Sequence, residues 1–158
     1  MIDDDLVRLK SEVGQLRRRR VGGREKPHKL AMLLAVLDMA DQRPLNGDRR
    51  VYFDDELITC FEERFADYAQ GNDRCEPGLP FYHLKGPFWE HEVRIGQRHA
   101  YDRLPSSRRT SAEIDKIIAC ARLSEYAHRV ISDEGARGKL REFIVGMLER
   151  ESSKGPAK

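Results

Sequence analysis

Residues 30–40, LAMLLAVLDMA, impose the strongest constraint on this 158-residue chain. Leu30, Leu33, Leu34 and Leu37 share one face of a helix, and Ala31, Met32, Ala35 and Val36 fill the others. A helix apolar nearly all round has no side to give to water, so it belongs at the centre of a fold. Pro27 cannot continue a helix but fits the first turn of a new one. The central helix is therefore expected from Pro27 to about Ala40, with His28 and Lys29 at its exposed N-terminal end. Asp41–Asp48, holding Pro44 and Gly47, reads as a turn.

Other segments are patterned to surround that helix. Ile2, Leu6, Leu9, Val13 and Leu16 are spaced four, three, four and three apart as a helix requires, and residues 2–20 are expected to form one, ended by Gly22-Gly23. Asp54 caps a helix bearing Leu57, Ile58, Phe61 and Phe65. Thr110 and Glu113 have capping-box spacing before Ile114, Ile117 and Ile118. Ser124–Ile131 is a short helix, and a last amphipathic helix carries Leu140, Phe143, Ile144, Met147 and Leu148. Val51–Phe53 is a strand candidate. Leu79–Trp89 is expected to be a hairpin turning at Lys85-Gly86-Pro87, its second strand continuing to about Ile95 with Glu90, Glu92 and Arg94 alternating against His91, Val93 and Ile95. The expected fold is α+β: one mainly helical domain over residues 1–150 with a small β-hairpin or sheet, then a disordered tail at 151–158.

The net charge is only +2, so placement matters more than the total. Arg17, Arg18, Arg19, Arg20, Arg24, Lys26 and Lys29 oppose only Glu25. A second basic stretch, Arg98–Arg109, reads as an irregular loop with Arg103, Arg108 and Arg109 around Pro105. One electropositive face suits an anionic partner. Cys60, Cys75 and Cys120 form no CxxC pair. With no signal-peptide pattern and no apolar run of membrane length, a reduced cytoplasmic protein is expected, with no membrane partner.

Catalytic motifs are missing. His28, His83, His91, His99 and His128 contain no i, i+4 pair, and no cysteine stands at ligand spacing. There is no P-loop, Rossmann glycine set, GxSxG or HNH constellation. The expectation is a protein that is not an enzyme and needs neither metal nor cofactor.

Pro27-His28-Lys29 before a leucine-rich helix, then Pro80-Phe81-Tyr82-His83-Leu84 closely followed by Phe88-Trp89, resembles the N-terminal region of bacterial HNH restriction endonucleases. That region is similar to the sulfur-binding domain of McrA-like enzymes. Leu123–Leu148 resembles the end of the same module, so the resemblance spans roughly Arg17–Leu148. It implies a bacterial-defence (restriction-modification) module that binds double-stranded DNA in which sulfur replaces a non-bridging phosphate oxygen. By resemblance, His28 and Lys29 approach the modified linkage, and Leu79, Pro80 and His83 line a shallow sulfur pocket that Phe81 holds in place. Arg20, Arg24 and Lys26 would join them on the DNA backbone, and Arg103, Arg108 or Arg109 would reach it or the base edges. Relatives carry a second proline where this chain has Leu30, and a larger aromatic where it has Leu79. The nuclease half of those enzymes has no counterpart here, so cleavage is not implied, and whether a separate nuclease partner is recruited stays open. Two other readings stay open: a fragment or variant of a modification-dependent HNH-type endonuclease, and a protein-interaction module whose basic run meets an acidic partner.

Overall fold

The computed structural model describes residues 2–16, 20–21, 24–71, 73–106 and 110–153. Its centre is helix α2 (His28–Gln42), in which Leu30 to Leu37 are all buried. Pro27 stands at its N-cap position, as its fixed φ allows. The single polar interruption inside the buried stretch, Asp38, is neutralised rather than exposed. Arg64 grips it through two bonds of 2.7 and 2.9 Å, and Arg141 adds a third at 3.4 Å. Those arginines belong to α3 (Asp55–Tyr68) and α8 (Glu134–Ser152), so one carboxylate ties three helices together. Asp54 caps α3 by accepting from the Leu57 amide at 2.9 Å.

Helix α1 (Ile2–Gly14) lays Leu6, Leu9 and Val13 on α8 and on α7 (Glu125–Ser132). Asp5 holds Arg129 from the side, at 2.8 and 3.3 Å. The helix stops at Gly14, earlier than the expected Arg20. Glycine is a poor helix former, and beyond it Arg20–Val21 (β1) pairs antiparallel with Arg24–Glu25 (β2). Arg20 is therefore on a strand and not at a helix end.

A second sheet has the order β3-β5-β4, all antiparallel, formed by β3 (Arg50–Val51), β4 (Trp89–Val93) and β5 (Ile118–Leu123). Val51 and His91 both face Ala121 in register. Arg50 reaches across the middle strand to Glu92, with bonds of 3.0 and 3.1 Å. The ladder shifts register between Glu92 and Val93.

Three expectations are corrected here. The expected hairpin from Leu79 to Ile95 is a helix followed by a strand: Gly78–His83 is α4, and β4 pairs with β5 instead. Pro80 fits because it stands third in α4, where an amide hydrogen has no partner within the helix. Ile118 does not extend the preceding helix. That helix, α6 (Ser111–Ile117), capped by Thr110 accepting from the Glu113 amide at 3.2 Å, runs straight into the central strand β5. The basic stretch after Gln97 is not irregular at its start. It forms α5 (Arg98–Arg103) and a 3₁₀ turn (Leu104–Ser106), pinned by the buried Leu104.

Glu151 and Ser152, expected in a disordered tail, are helical, and the rest of that expected tail from residue 154 lies outside the described residues. The Glu25 amide donates to the Glu151 carboxylate at 2.9 Å, and Gln70 Nε2 donates to the Ser152 carbonyl at 3.1 Å. Among the described residues no helix is long and apolar enough to cross a membrane.

Candidate nucleic-acid interface

The start of α2 carries His28 and Lys29, both half-buried, on a turn with no acidic residue. His28 packs its ring on Phe65 near the end of α3, with centroids 4.8 Å apart. Its Nε2 lies 2.9 Å from the Arg74 carbonyl, an acceptor, so Nε2 carries the proton. Lys26, one turn earlier, lies 3.8 Å from Asp73, whose carboxylate is almost buried. Lys26 thus serves the docking of the 69–77 loop first, and its charge is partly spent there.

That loop connects the two sequence motifs. Having crossed the start of α2 at Asp73 and Arg74, it enters α4. The entry is tight: the Gly78 amide donates to Ser111 Oγ at 2.9 Å, and a Cβ on Gly78 would stand 2.5 Å from Ser111 Cα. Only glycine lets α4 and α6 approach this closely.

Within α4, Phe81 and Tyr82 point inward and are buried, as is Pro80, while Leu79 and His83 are half-buried. Leu79 and His83 are four residues apart and so share a helix face. Of the expected pocket residues these two present the most surface. Pro80 contributes at most an edge, because its ring is committed to the core. Phe81 anchors the segment through its carbonyl, which accepts from Trp89 Nε1 at 3.1 Å and His91 Nε2 at 3.2 Å.

Beside α4 stands a group that sequence reasoning did not assemble. His91 stacks on Tyr82 with ring centroids 5.5 Å apart and planes 11° apart. Its Nε2–H donates to the Phe81 carbonyl, so Nδ1 must accept from the Tyr101 hydroxyl at 3.0 Å. Burial pulls the His91 pKa down to about 4, with a smaller push from Lys85 in the same direction. His91 is therefore neutral at physiological pH and adds no charge. Burial also raises Tyr101. Lys85, exposed, holds its ammonium 4.1 Å above the Tyr82 ring and 3.0 Å from its hydroxyl. Arg98 covers Tyr101 at 5.3 Å. In the sequence Lys85 looked like a turn residue. Its spacing of three from Tyr82 becomes a signal only once Tyr82 is known to be helical.

Arg103 is exposed at the end of α5. The strands put Arg20 opposite Glu25 and Arg24 opposite Val21, but their side chains lie outside the described residues, as do Arg17–Arg19, Arg108 and Arg109 altogether.

The described surface thus juxtaposes two chemistries. Lys85 sets positive charge over Tyr82 of α4, Arg98 lies over Tyr101 while pairing with Asp102 at 3.4 Å, and Leu79 with the edge of His83 supplies a small surface of carbon. Burial raises the pKa of the thiols too: Cys75 beside Arg74, Cys60, and Cys120, which reaches about 11. None is poised as a thiolate nucleophile. No family model matches the chain, and no curated protein matches it either.

Proposed function

We propose that this domain binds double-stranded DNA carrying phosphorothioate linkages, and that it does so without cutting the strand. The observation that carries the reading is the docking of the 69–77 loop on His28. It ties the cationic start of α2 to the loop that leads into α4, where Leu79 is half-buried.

The chemistry explains why both halves are needed. A phosphorothioate keeps its negative charge, so cations supply most of the affinity and make it salt-dependent. Sulfur is larger, softer and less hydrated than oxygen. Carbon from Leu79 and the Pro80 edge costs little to desolvate against sulfur, whereas it would strip water from a phosphate oxygen without replacing it. The resulting preference is of order 1–3 kcal/mol, as for other small polar-versus-apolar choices. His28 and Lys29 orient the linkage, while Lys85, Arg98 and Arg103 position the duplex.

The test is fluorescence anisotropy with two short duplexes, identical except for phosphorothioate linkages, over a salt series. The expected result is an affinity gap that persists as salt rises. Lys29→Ala should weaken both duplexes and reduce the salt slope by about one ion. His83→Glu should abolish the gap with circular dichroism unchanged. Parallel curves for the two duplexes would reject sulfur recognition, and metal-dependent nicking of plasmid by the pure protein would reject a binder without cleavage activity.

A further inference from the structure

The loop that docks on α2 carries an arginine that belongs to neither sequence motif. Most described arginines are held by carboxylates: Arg50 by Glu92, Arg64 by Asp38, Arg94 by Asp115, Arg98 by Asp102 and Arg129 by Asp5. Arg74 is exposed, and among the described residues its guanidinium makes no ion pair or hydrogen bond. Arg122 on β5 and Arg150 near the end of α8 also lack a carboxylate partner there. Of these three, only Arg74 stands on the loop at the start of α2.

Its free end contrasts with its fixed root. His28 Nε2 donates to the Arg74 carbonyl at 2.9 Å, and the same ring packs on Phe65. One residue earlier the chain closes a turn. The Asp73 amide donates to the Gln70 carbonyl at 3.0 Å, and the Gln70 amide donates to the Asp73 carboxylate at 3.0 Å. Lys26 reaches the same carboxylate. An unpaired guanidinium on a backbone held this way is preorganised for an anion, because binding does not have to order the loop.

The acids nearby mark the arginine out further. Burial, then the charges of Glu62 and Glu76, raise the Cys75 thiol, so two carboxylates border this edge. Neither pairs with Arg74 among the described residues. Without the arginine, their charge would repel a phosphate.

Guanidinium geometry selects the contact. Its planar fork takes two oxygens at once, which an ordinary phosphate offers and a phosphorothioate, left with one non-bridging oxygen, does not. We infer that Arg74 grips an unmodified phosphate next to the modified linkage. This rests on the DNA-binding reading above. Arg74 then supplies affinity to plain and modified duplexes alike and no discrimination between them.

The test uses the full chain and anisotropy over a salt series with both duplexes. Arg74→Ala keeps the carbonyl that His28 uses, so the melting temperature should not change. It should weaken both duplexes by about tenfold, lower the salt slope by about one ion and leave the gap between them intact. Arg74→Lys should restore the slope but only part of the affinity, because an ammonium has no fork. A neutral methylphosphonate, placed in turn at the phosphates flanking the linkage, should cost the parent about tenfold at one position and cost Arg74→Ala nothing more there.

Parental affinity and slope in Arg74→Ala, or a lowered melting temperature, would overturn this contact while leaving DNA binding intact. A loss confined to the phosphorothioate duplex would overturn the choice of an unmodified phosphate, as would a parent indifferent to methylphosphonate at every position. A parent that binds neither duplex would overturn both readings together.

Discussion

His91 makes the interior of the candidate interface sensitive to acid in a way that can be measured. Folded, its pKa is about 4; the ordinary value is 6.5. Above pH 6.5 the imidazole is neutral in both states and contributes nothing to pH dependence. As pH falls from 6.5 towards 4, the unfolded chain takes up a proton that the folded chain refuses, so stability drops. Below pH 4 both states hold the proton and this contribution levels off. The full difference corresponds to about 3 kcal/mol, and partial exposure of the ring reduces it to about 2 kcal/mol. The variant to compare is His91→Phe, which retains an aromatic ring against Tyr82. Trp89 still satisfies the Phe81 carbonyl, and the half-buried Tyr101 hydroxyl can turn to water. Urea unfolding of both proteins at pH 7.5 and pH 4.5 then isolates the histidine, because carboxylate effects are common to both and cancel. The variant should gain about 2 kcal/mol relative to the parent on acidification. A difference constant to within about 0.5 kcal/mol over that range, or an NMR titration placing His91 above pH 6, would refute the reasoning.

Two further substitutions test the framework. Gly78→Ala drives a methyl group into the backbone of Ser111 and should cost about 1–3 kcal/mol, read as a lower melting temperature. Asp38→Ala leaves Arg64 and Arg141 at the helix junction without their shared acceptor and should cost about 1–3 kcal/mol in urea unfolding.

Elements with strong periodicity were readable from residues alone. The all-round apolar pattern of Leu30–Leu37 leaves one option, a central helix, and the caps at Asp54 and Thr110 have side chains whose only good use is to hold the amides that they do hold. The misreadings fall where two structures share one pattern. Ile118–Leu123 is apolar on both faces, because it is the middle strand, and a short run of that kind follows a helix period as well as a strand period. Leu79–Leu84 carries aromatics that favour strands, and its helix exists because Pro80 falls in the first turn and Gly78 permits contact with α6. That second fact is tertiary. Lys85 and Tyr101 were invisible as site neighbours for the same reason: 16 residues separate them, and only the packing of α5 beside α4 brings the Lys85 ammonium within 5.9 Å of the Tyr101 ring.

Recognition of a soft anion demands a fixed distance between charge and carbon. If the two could drift apart, cations alone would capture any phosphate and the apolar surface would select nothing. Here the spacing is held from several directions. Lys26 and His28 clamp the 69–77 loop to α2, Ser111 clamps the loop's exit to α6, and the Phe81 carbonyl clamps α4 to the sheet. Lys26 and His28 give part of their own polar surface to this clamping, whereas the Gly78 amide and the Phe81 carbonyl are backbone groups beside proposed contact residues. Weakening a clamp should therefore lower selectivity before it lowers affinity, since charge acts over several ångströms and apolar contact does not. On the proposed function, the loop at Asp73–Arg74 matters as much to discrimination as the residues proposed to touch the linkage.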